Sequence, residues 1–340
     1  MKKSHVLLLA LVVLALVLVP IVAGCGSSTD ETTTSTAAAV TTTTAAPAET
    51  TTTAAAGGET TTTAAAAAYD IKAIVAAIKA DPTLTAMLPA GNQKDGVIVA
   101  SDIPYMPWEG YVGDTEQPTG FDYDLSQALA AKLGVPFKFT KVSFDSIILG
   151  IQAKKYDISM SDMYDNAERQ KVLDFVDYAE DTTAIITLNG NPKNITSLDS
   201  LAGLQVGCEK GTTQAGMLDQ LNTSGKTKMT VKQFPGQADA LLALQAGTID
   251  CDVTDRSTAF YNADTTVKNG QKVFQLAVDP ANPDGYDPTP VGMGILKANT
   301  QLRDALQKAL QALIDDGTLK TIADHWGLVA VTSSQINQGK

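Results

Sequence analysis

The stretch VIVASDIPYMPWEGYVGDTEQPTGFDYDLSQALAAKLG, residues 97–134, decides the class of fold. Its first four residues are apolar and suit a short buried strand. Residues 122–133 suit a helix, and Gly134 follows as a helix stop. One face of this helix is apolar: Leu125, Ala128, Leu129 and Leu133. A buried strand followed by an amphipathic helix is the repeating unit of α/β proteins with a parallel sheet.

The same unit recurs through the rest of the chain. Further strands are predicted at residues 137–140, 158–160, 204–208, 229–234, 251–254 and 291–296. Further helices are predicted at residues 146–153, 213–221, 238–245 and 301–314. Two such α/β sheets predict two lobes. Because ligands bind beyond the carboxyl ends of parallel strands, two facing lobes would share one central cleft.

The N-terminus has the pattern of an export signal. Lys2 and Lys3 precede an apolar run at residues 6–19, which is too short to span a bilayer comfortably. Small residues then lead to Cys25 in the sequence Val-Ala-Gly-Cys, which resembles the lipobox of bacterial lipoproteins. Residues 1–25 are therefore predicted to be a lipoprotein signal peptide, with Cys25 as the lipidated residue. A plain secretory signal or an uncleaved anchor stays open.

Two segments separate this signal from the α/β region. Residues 26–68 consist mainly of Thr and Ala, and they lack the apolar residues needed for a core. We therefore expect a disordered tether. Residues 69–95 are predicted to be a helical appendage, because apolar residues recur at helical spacing at its start: Ile71, Ile74, Val75 and Ile78.

Charge and composition exclude several functions. The formal net charge of −12 argues against a nucleic-acid binder, which needs clustered Lys and Arg. The only histidines are His5 and His325, and His5 lies in the leader. A histidine-based metal site or a Ser-His-Asp triad is therefore not expected.

Six motifs in a fixed order resemble the extracellular solute-binding proteins of family 3, the polar-amino-acid receptors of ABC importers. They are SDIPYMPWE at 101–109, GFDYDL at 120–125, AERQKVLDF at 167–175, EKGTTQ at 209–214, DDGTL at 315–319 and WG at 326–327. The resemblance implies a type II periplasmic-binding-protein-like fold, with a central cleft and hinge crossovers between two lobes. Lobe 1 would comprise residues 96–186 and 289–328, and lobe 2 residues 189–285.

The resemblance also implies a clamp for a free amino acid. Arg169 would hold the α-carboxylate, because a guanidinium matches both carboxylate oxygens. Gly211, Thr212 and Thr213 would present backbone N–H groups to the same carboxylate at a helix N-terminus. Asp255 would pair with the α-ammonium group. The alternatives are an arginine that caps its own helix, an ordinary strand-to-helix turn and a solvated aspartate.

Other positions would surround the ligand side chain. Tyr105 and Phe144 match the two positions that sandwich it, and Asp102 matches a position that faces it. Trp108 extends this wall or packs in the core.

One segment departs from the family pattern. Amino-acid receptors usually carry a small residue and then a Thr before the arginine, where this chain has SDMYDN at 161–166. Whether Asp162 and Tyr164 face the cleft stays open. If Asp162 does, the cleft is acidic and favours a cationic ligand. If a lysine neutralises Asp162, the ligand could be neutral. Cys208 and Cys251 fall on strands that the family topology makes neighbours, so a disulfide and two buried thiols are both possible.

The expected function is capture of a small polar or cationic amino acid by lobe closure and its delivery to an ABC importer. The importer subunits would be other chains, because this sequence has no phosphate-binding Gly-x-x-x-x-Gly-Lys-Ser/Thr loop. We expect a monomer outside the cytoplasm, held on the outer face of the cell membrane by Cys25. We expect no cofactor, metal ion or catalytic residue.

Two other functions stay open. An enzyme similar to cyclohexadienyl dehydratase would need a general acid or base, for which Glu109 and His325 are the candidates. A ligand-sensing lipoprotein would use the same fold.

Overall fold

A computed structural model describes residues 69–339 of the 340-residue chain. The predicted signal peptide, the lipidation site Cys25 and the predicted tether lie outside the described residues. Within residues 69–339, no helix has the length and apolar character needed to cross a membrane.

Helices and strands alternate over most of this range. The helices are α1 (Ile71–Ala77), α2 (Pro82–Met87), α3 (Ala90–Asp95), α4 (Phe121–Leu133), α5 (Phe144–Gln152), α6 (Thr213–Ser224), α7 (Gln237–Gln245), α8 (Arg256–Thr265), α9 (Thr300–Asp315) and α10 (Thr318–Trp326). The strands are β1 (Val97–Ser101), β2 (Gly110–Tyr111), β3 (Pro118–Thr119), β4 (Phe137–Lys141), β5 (Ile158–Ser159), β6 (Leu173–Leu188), β7 (Gln205–Glu209), β8 (Thr230–Phe234), β9 (Cys251–Asp255), β10 (Val267–Lys268), β11 (Gln271–Lys272), β12 (Phe274–Leu276), β13 (Tyr286–Leu296) and β14 (Val329–Ala330). Two short 3-10 turns occur at Arg169–Lys171 and Asp199–Leu201.

One sheet connects both halves of the molecule. Its order is β4-β1-β5-β13-β6-β9-β7-β8, with β12 and β14 added against β6. β1 pairs in parallel with β4 and β5 at one side, and β7 pairs in parallel with β8 and β9 at the other. The long strands β6 and β13 are antiparallel and run through the middle, so they form the connection between the lobes.

The hydrophobic cores follow the same division. One pair of clusters contains residues from the first part of the chain together with β13, α9 and α10, and extends to Ala179 on β6 and Val291 on β13. A second pair begins at Ala184 and contains the segments that follow it up to Tyr286. Each lobe therefore buries its own apolar side chains. Along β6, Ala179 packs in the core of lobe 1 and Ala184 in the core of lobe 2, so the change of lobe comes slightly before the predicted boundary at residue 186. The lobe boundaries themselves stay a prediction.

The helical appendage is shorter and more broken than its apolar spacing predicts. Its first helix ends at Ala77, and Asp81 caps α2 by accepting bonds from the amides of Thr83 and Leu84. Leu84 and Leu88 join the core of lobe 1. The appendage therefore covers one side of that lobe.

Candidate functional site

A small cavity lies between the two lobes. It occurs where β5, β7 and β9 end and where α5 and α6 begin, as expected for parallel strands. Its lining residues are Tyr105, Phe144, Ser161, Asp162, Tyr164, Arg169, Glu209, Thr212, Thr213, Gln214 and Asp255. The cavity thus contains most of the residues predicted to contact a ligand.

Arg169 lies in a 3-10 turn after β5. The Oδ1 atom of Asn166 accepts a 2.9 Å bond from the Arg169 amide, so Asn166 caps the turn. The guanidinium donates to the carbonyls of Tyr164 at 2.8 Å and Gly211 at 3.3 Å. It lies 5.2 Å from the centre of the Phe144 ring.

The guanidinium remains a cation in this position. Burial lowers the pKa of Arg169 to about 10, so the group is still protonated at neutral pH. Its bonds to two backbone carbonyls hold its orientation and leave other N–H donors for an anion. Arg169 is therefore equipped to hold a carboxylate.

The N-terminus of α6 lies on the lobe 2 side of the cavity. Thr212 caps this helix, because its hydroxyl accepts a 3.2 Å bond from the Ala215 amide. The hydroxyl oxygen of Thr213 is buried without a hydrogen-bond partner among residues 69–339. The Thr213 hydroxyl is therefore free to donate to an anion, at the end of the helix where the helix dipole favours negative charge.

Gly211 is required for the close approach of the lobes at this turn. Its φ of +82° favours glycine, and a Cβ there would lie 2.9 Å from the side chain of Asp145 in α5. The neighbouring Lys210 forms a 2.7 Å ion pair with Asp145. Gly211 itself is not among the residues that line the cavity, so the cavity lining does not support its predicted contact with a ligand.

Asp255 ends β9 and is joined to lobe 1 across the cavity. Its Oδ2 atom accepts a hydrogen bond from the Tyr105 hydroxyl, and its Oδ1 atom accepts a 2.7 Å bond from the amide group of Gln214. The Tyr105 hydroxyl also contacts Thr254 at 2.8 Å. Burial raises the pKa of Asp255, because the charged form loses hydration. A ligand ammonium group would supply the missing counter-charge.

Asp162 and Tyr164 both line the cavity, which answers the question that their sequence left open. Asp162 is 4% exposed, and neither of its carboxylate oxygens has a hydrogen-bond partner among the described residues. The salt bridges found in that range include none to Asp162, which argues against neutralisation by a lysine. The side of the cavity that Asp162 lines is acidic.

Three carboxylates converge near this point. One oxygen each from Asp162, Asp181 and Asp255 lies within 4.8 Å of the others, which is close enough to hold a cation. We call these residues the aspartate cluster. Asp181 was missed by sequence reasoning, because it lies inside the hinge strand β6, which the sequence pattern did not predict.

Asp102 lies outside the cavity lining. It belongs to an adjoining groove between the lobes that also contains Lys141 and Asp239. The Asp102 amide donates a 2.8 Å bond to the Ser161 hydroxyl, which holds the segment after β1 in place. The expectation that Asp102 faces a ligand is therefore not supported by its position.

Besides Tyr164, which the sequence left open, three lining residues were not predicted as ligand contacts: Ser161, Glu209 and Gln214. Glu209 and Gln214 fall inside the quoted EKGTTQ motif, so the motif did carry a signal for them. Burial and the neighbouring Asp102 raise the pKa of Glu209 to about 11, so this group is a neutral carboxylic acid at neutral pH.

The candidate catalytic groups lie elsewhere. Glu109 is buried and accepts a 2.6 Å bond from the Ser161 hydroxyl, and it does not line the cavity. His325 stacks on Tyr69 with 3.6 Å between ring centres. Trp108 is fully buried against Phe121, so it is a core residue.

Cys208 and Cys251 are free thiols in the core of lobe 2. They lie on the parallel neighbours β7 and β9, where Val206 is paired with Cys251. Burial raises the pKa of Cys208 to about 12, and burial also raises the pKa of Cys251. The interpretation as two buried thiols fits this structure.

Comparison with known proteins identifies the family. Residues 97–329 match the model of the bacterial extracellular solute-binding proteins, family 3. A putative ABC transporter arginine-binding protein 2 of Escherichia coli is 28% identical over 256 residues, which cover 75% of this chain and 98% of that protein. A histidine-binding periplasmic protein of Salmonella typhimurium is 28% identical over 260 residues, covering 74% of this chain and 94% of that protein.

A solved structure with this fold contains a ligand. It is an ancestral arginine-binding protein bound to arginine, with 29% identity and a TM-score of 0.61, covering 68% of this chain and 97% of that chain. The chain described here belongs to family 3 of the bacterial extracellular solute-binding proteins. The predicted two-lobe, type II fold is confirmed.

Proposed function

We propose that this protein is the extracytoplasmic receptor of an ABC importer and that it captures a free cationic amino acid by closing its two lobes. The observation that carries the proposal is the pairing, within one cavity, of a buried guanidinium with several buried carboxylates. A free amino acid has a carboxylate and an ammonium group in close proximity, and these two sets of protein groups match them.

The anion-binding groups come from both lobes. Arg169 of lobe 1 and Thr213 of lobe 2 would hold the α-carboxylate, and Asp255 would hold the α-ammonium group. Since a ligand that contacts both lobes favours the closed state by the difference in contacts, ligand binding would stabilise closure. Closure would then distinguish the loaded receptor from the empty one.

A cationic side chain fits the remaining walls. Phe144 and Tyr105 offer aromatic faces, and Arg169 already lies over the Phe144 ring. Three carboxyl groups line the cavity beside Arg169, and they favour arginine or lysine over glutamate. The relatives named for arginine and histidine support this class of ligand.

The proposal includes the location. A lipidated Cys25 would anchor a monomer to the outer face of the cell membrane, with residues 26–68 as the tether. An enzymatic role has less support, because neither Glu109 nor His325 lines the cavity.

A thermal-shift panel of the twenty amino acids tests the proposal. A ligand at 1,000 times its Kd stabilises the folded state by about 4.1 kcal/mol, so a cognate amino acid should raise Tm by about 10 °C. The analogue of the best ligand without its α-amino group and the carboxamide analogue should each lose most of this shift. No shift with any amino acid would refute the proposal, and a largest shift with glutamate or aspartate would refute the cationic class.

A further inference from the structure

The aspartate cluster draws its carboxylates from three separate segments. Asp162 follows β5, Asp181 lies in the hinge strand β6, and Asp255 ends β9. One carboxylate therefore comes from each lobe and one from the connection between them. The geometry of the cluster therefore depends on how the two lobes are placed relative to β6.

The cluster has polar groups that are not used by the protein. Both oxygens of Asp162 lack a partner among residues 69–339, and the buried Tyr164 hydroxyl also lacks one in that range. Asp181 is held from lobe 2, because its Oδ2 atom accepts hydrogen bonds from the hydroxyl and the amide of Ser257. The carboxylate oxygens of the aspartate cluster thus surround a point at which a ligand could supply hydrogen-bond donors.

The surrounding charges do not compensate the cluster. The groups that face it are the phenols of Tyr105 and Tyr164, the acids Glu109 and Asp122 behind Asp162, Glu209 across the cavity, and Arg169. Arg169 is the one cation in this set, and two of its N–H groups are bonded to backbone carbonyls. Three carboxyl groups thus face one guanidinium, and the oxygens of Asp162 have no donor among the described residues.

We propose that the aspartate cluster selects a ligand with an unmethylated primary ammonium group and releases a proton when that group binds. A primary ammonium has three N–H donors, so it can supply one to each carboxylate. The inference rests on the proposed function. It goes beyond a single Asp255 contact, because Asp162 and Asp181 become determinants of specificity.

Release of a proton is expected because the carboxyl groups of the aspartate cluster are buried. Burial raises the pKa of Asp181 to about 7 and raises the pKa of both Asp162 and Asp255. Without a ligand, the cluster therefore carries protons at neutral pH. When an ammonium group donates to the carboxylates, a carboxyl proton moves to the solvent and the total charge balances. Binding must then become stronger as pH rises towards 8.

Calorimetry with L-arginine as the first probe tests the inference. Titrations at pH 7 in phosphate and in Tris, which have different ionisation enthalpies, should show about one proton released per ligand bound. Nα-methyl-L-arginine offers one donor fewer and should bind about 10-fold more weakly or worse. If another amino acid is the better ligand in the panel, it and its N-methyl derivative replace this pair.

Variants of single aspartates test which carboxyl groups release the proton. Asp162→Asn and Asp181→Asn should each reduce proton release and the discrimination against N-methylation. Asp252→Asn is the control, because burial also raises the pKa of Asp252 to about 7, but this residue does not belong to the aspartate cluster. It should leave both measurements unchanged.

The outcomes separate the two proposals. If no amino acid binds, the proposed function fails. If an amino acid binds but releases no proton, or if its N-methyl derivative binds equally well, the receptor function stands and the inference is wrong. A rise in Tm with Ca²⁺ or Mn²⁺ alone would show that the aspartate cluster is a metal site, which would also overturn the inference.

Discussion

The indole N–H of Trp108 donates a 2.8 Å hydrogen bond to the hydroxyl of Ser257, which joins the core of lobe 1 to helix α8 of lobe 2. Trp108 is fully buried beside Tyr178, so it cannot follow Ser257 if the lobes separate. The same hydroxyl donates to Asp181 of the aspartate cluster. Ser257 therefore links the contact between the lobes to the position of one carboxylate of the aspartate cluster.

Ser257→Ala should weaken ligand binding about fivefold or more, because the substitution removes one hydrogen bond between the lobes and one to Asp181. Ser257→Thr keeps the hydroxyl and is the control. Calorimetric titration with the best amino acid of the panel measures both variants. Equal affinities for the alanine variant and the wild type would show that this hydrogen bond does not contribute to closure.

Arg169→Ala should weaken binding roughly 30-fold or much more, because truncation leaves the ligand carboxylate without its charged partner in a desolvated site. Arg169→Lys should restore only part of this loss, since an ammonium group cannot donate two parallel bonds. Arg256→Ala, outside the cavity lining, is a suitable control for the loss of one positive charge. A loss of only two- to threefold at Arg169 would indicate a structural arginine.

The ligand-free protein should be more stable at pH 5 than at pH 8. Burial raises the pKa of Asp122, Asp177 and Asp252 to about 7, so the folded state keeps protons that the unfolded state has lost. Stability therefore falls as pH rises from about 4 to 7. We expect Tm to fall by about 5 °C or more between pH 5 and 8. Asp252→Asn should reduce this fall, and a Tm that rises with pH would contradict the assignment.

The last described residues secure the segment that carries Arg169. The Gly339 amide donates a 2.7 Å bond to Asp165, and its carbonyl accepts a 2.9 Å bond from Gln170. A Cβ at Gly339 would collide with the Asp165 carbonyl. Gly339→Ala should therefore release this contact and weaken ligand binding a few-fold in calorimetry.

Gly216→Ala provides the matched comparison for Gly339→Ala. Gly216 lies in α6 and has open space around it, so alanine should raise the free energy of unfolding by about 0.5 to 1 kcal/mol. Ligand affinity should stay unchanged. If both glycine variants bind like the wild type, the contact of Gly339 with Asp165 has no role in the site.

Cys25→Ala should release the protein from the membrane fraction without changing its affinity for the ligand. The expected result follows from the lipobox-like sequence, because a lipid chain on Cys25 would be the only attachment that the substitution removes. Fractionation of cells followed by immunoblotting measures it. Continued retention in the membrane fraction would favour an uncleaved anchor.

Much of the fold could be predicted because short apolar runs alternate with amphipathic helices. The predicted strand at 251–254 and the helix at 301–314 differ from the observed β9 and α9 by one residue at their ends. The hinge strand β6 was not predicted, since acidic residues interrupt its apolar run. Asp174 is one of them, and its partners Lys297 and Arg303 come from more than 100 positions away.

Residues of the candidate site could be predicted only where they belong to a motif that resembles the family. Arg169, Thr213 and Asp255 line the cavity as expected, whereas Asp102 lies in the adjoining groove. Local sequence could not predict that Asp181 approaches Asp162, because that distance depends on how β6 crosses between the lobes. The acidity of the cavity is a property of the tertiary arrangement.

The pairing of Thr183 on β6 with Tyr286 on β13 makes lobe 2 an insertion into lobe 1. The intervening chain leaves and returns at adjacent positions of one antiparallel ladder, so a short hairpin turn could replace it without redirecting either strand. Lobe 1 would keep both of its hydrophobic cores after such an excision. We therefore expect lobe 2 to be exchangeable as a module, so that a chimera carrying the insertion of a relative changes the part of the cavity lining that contains Thr213 and Asp255.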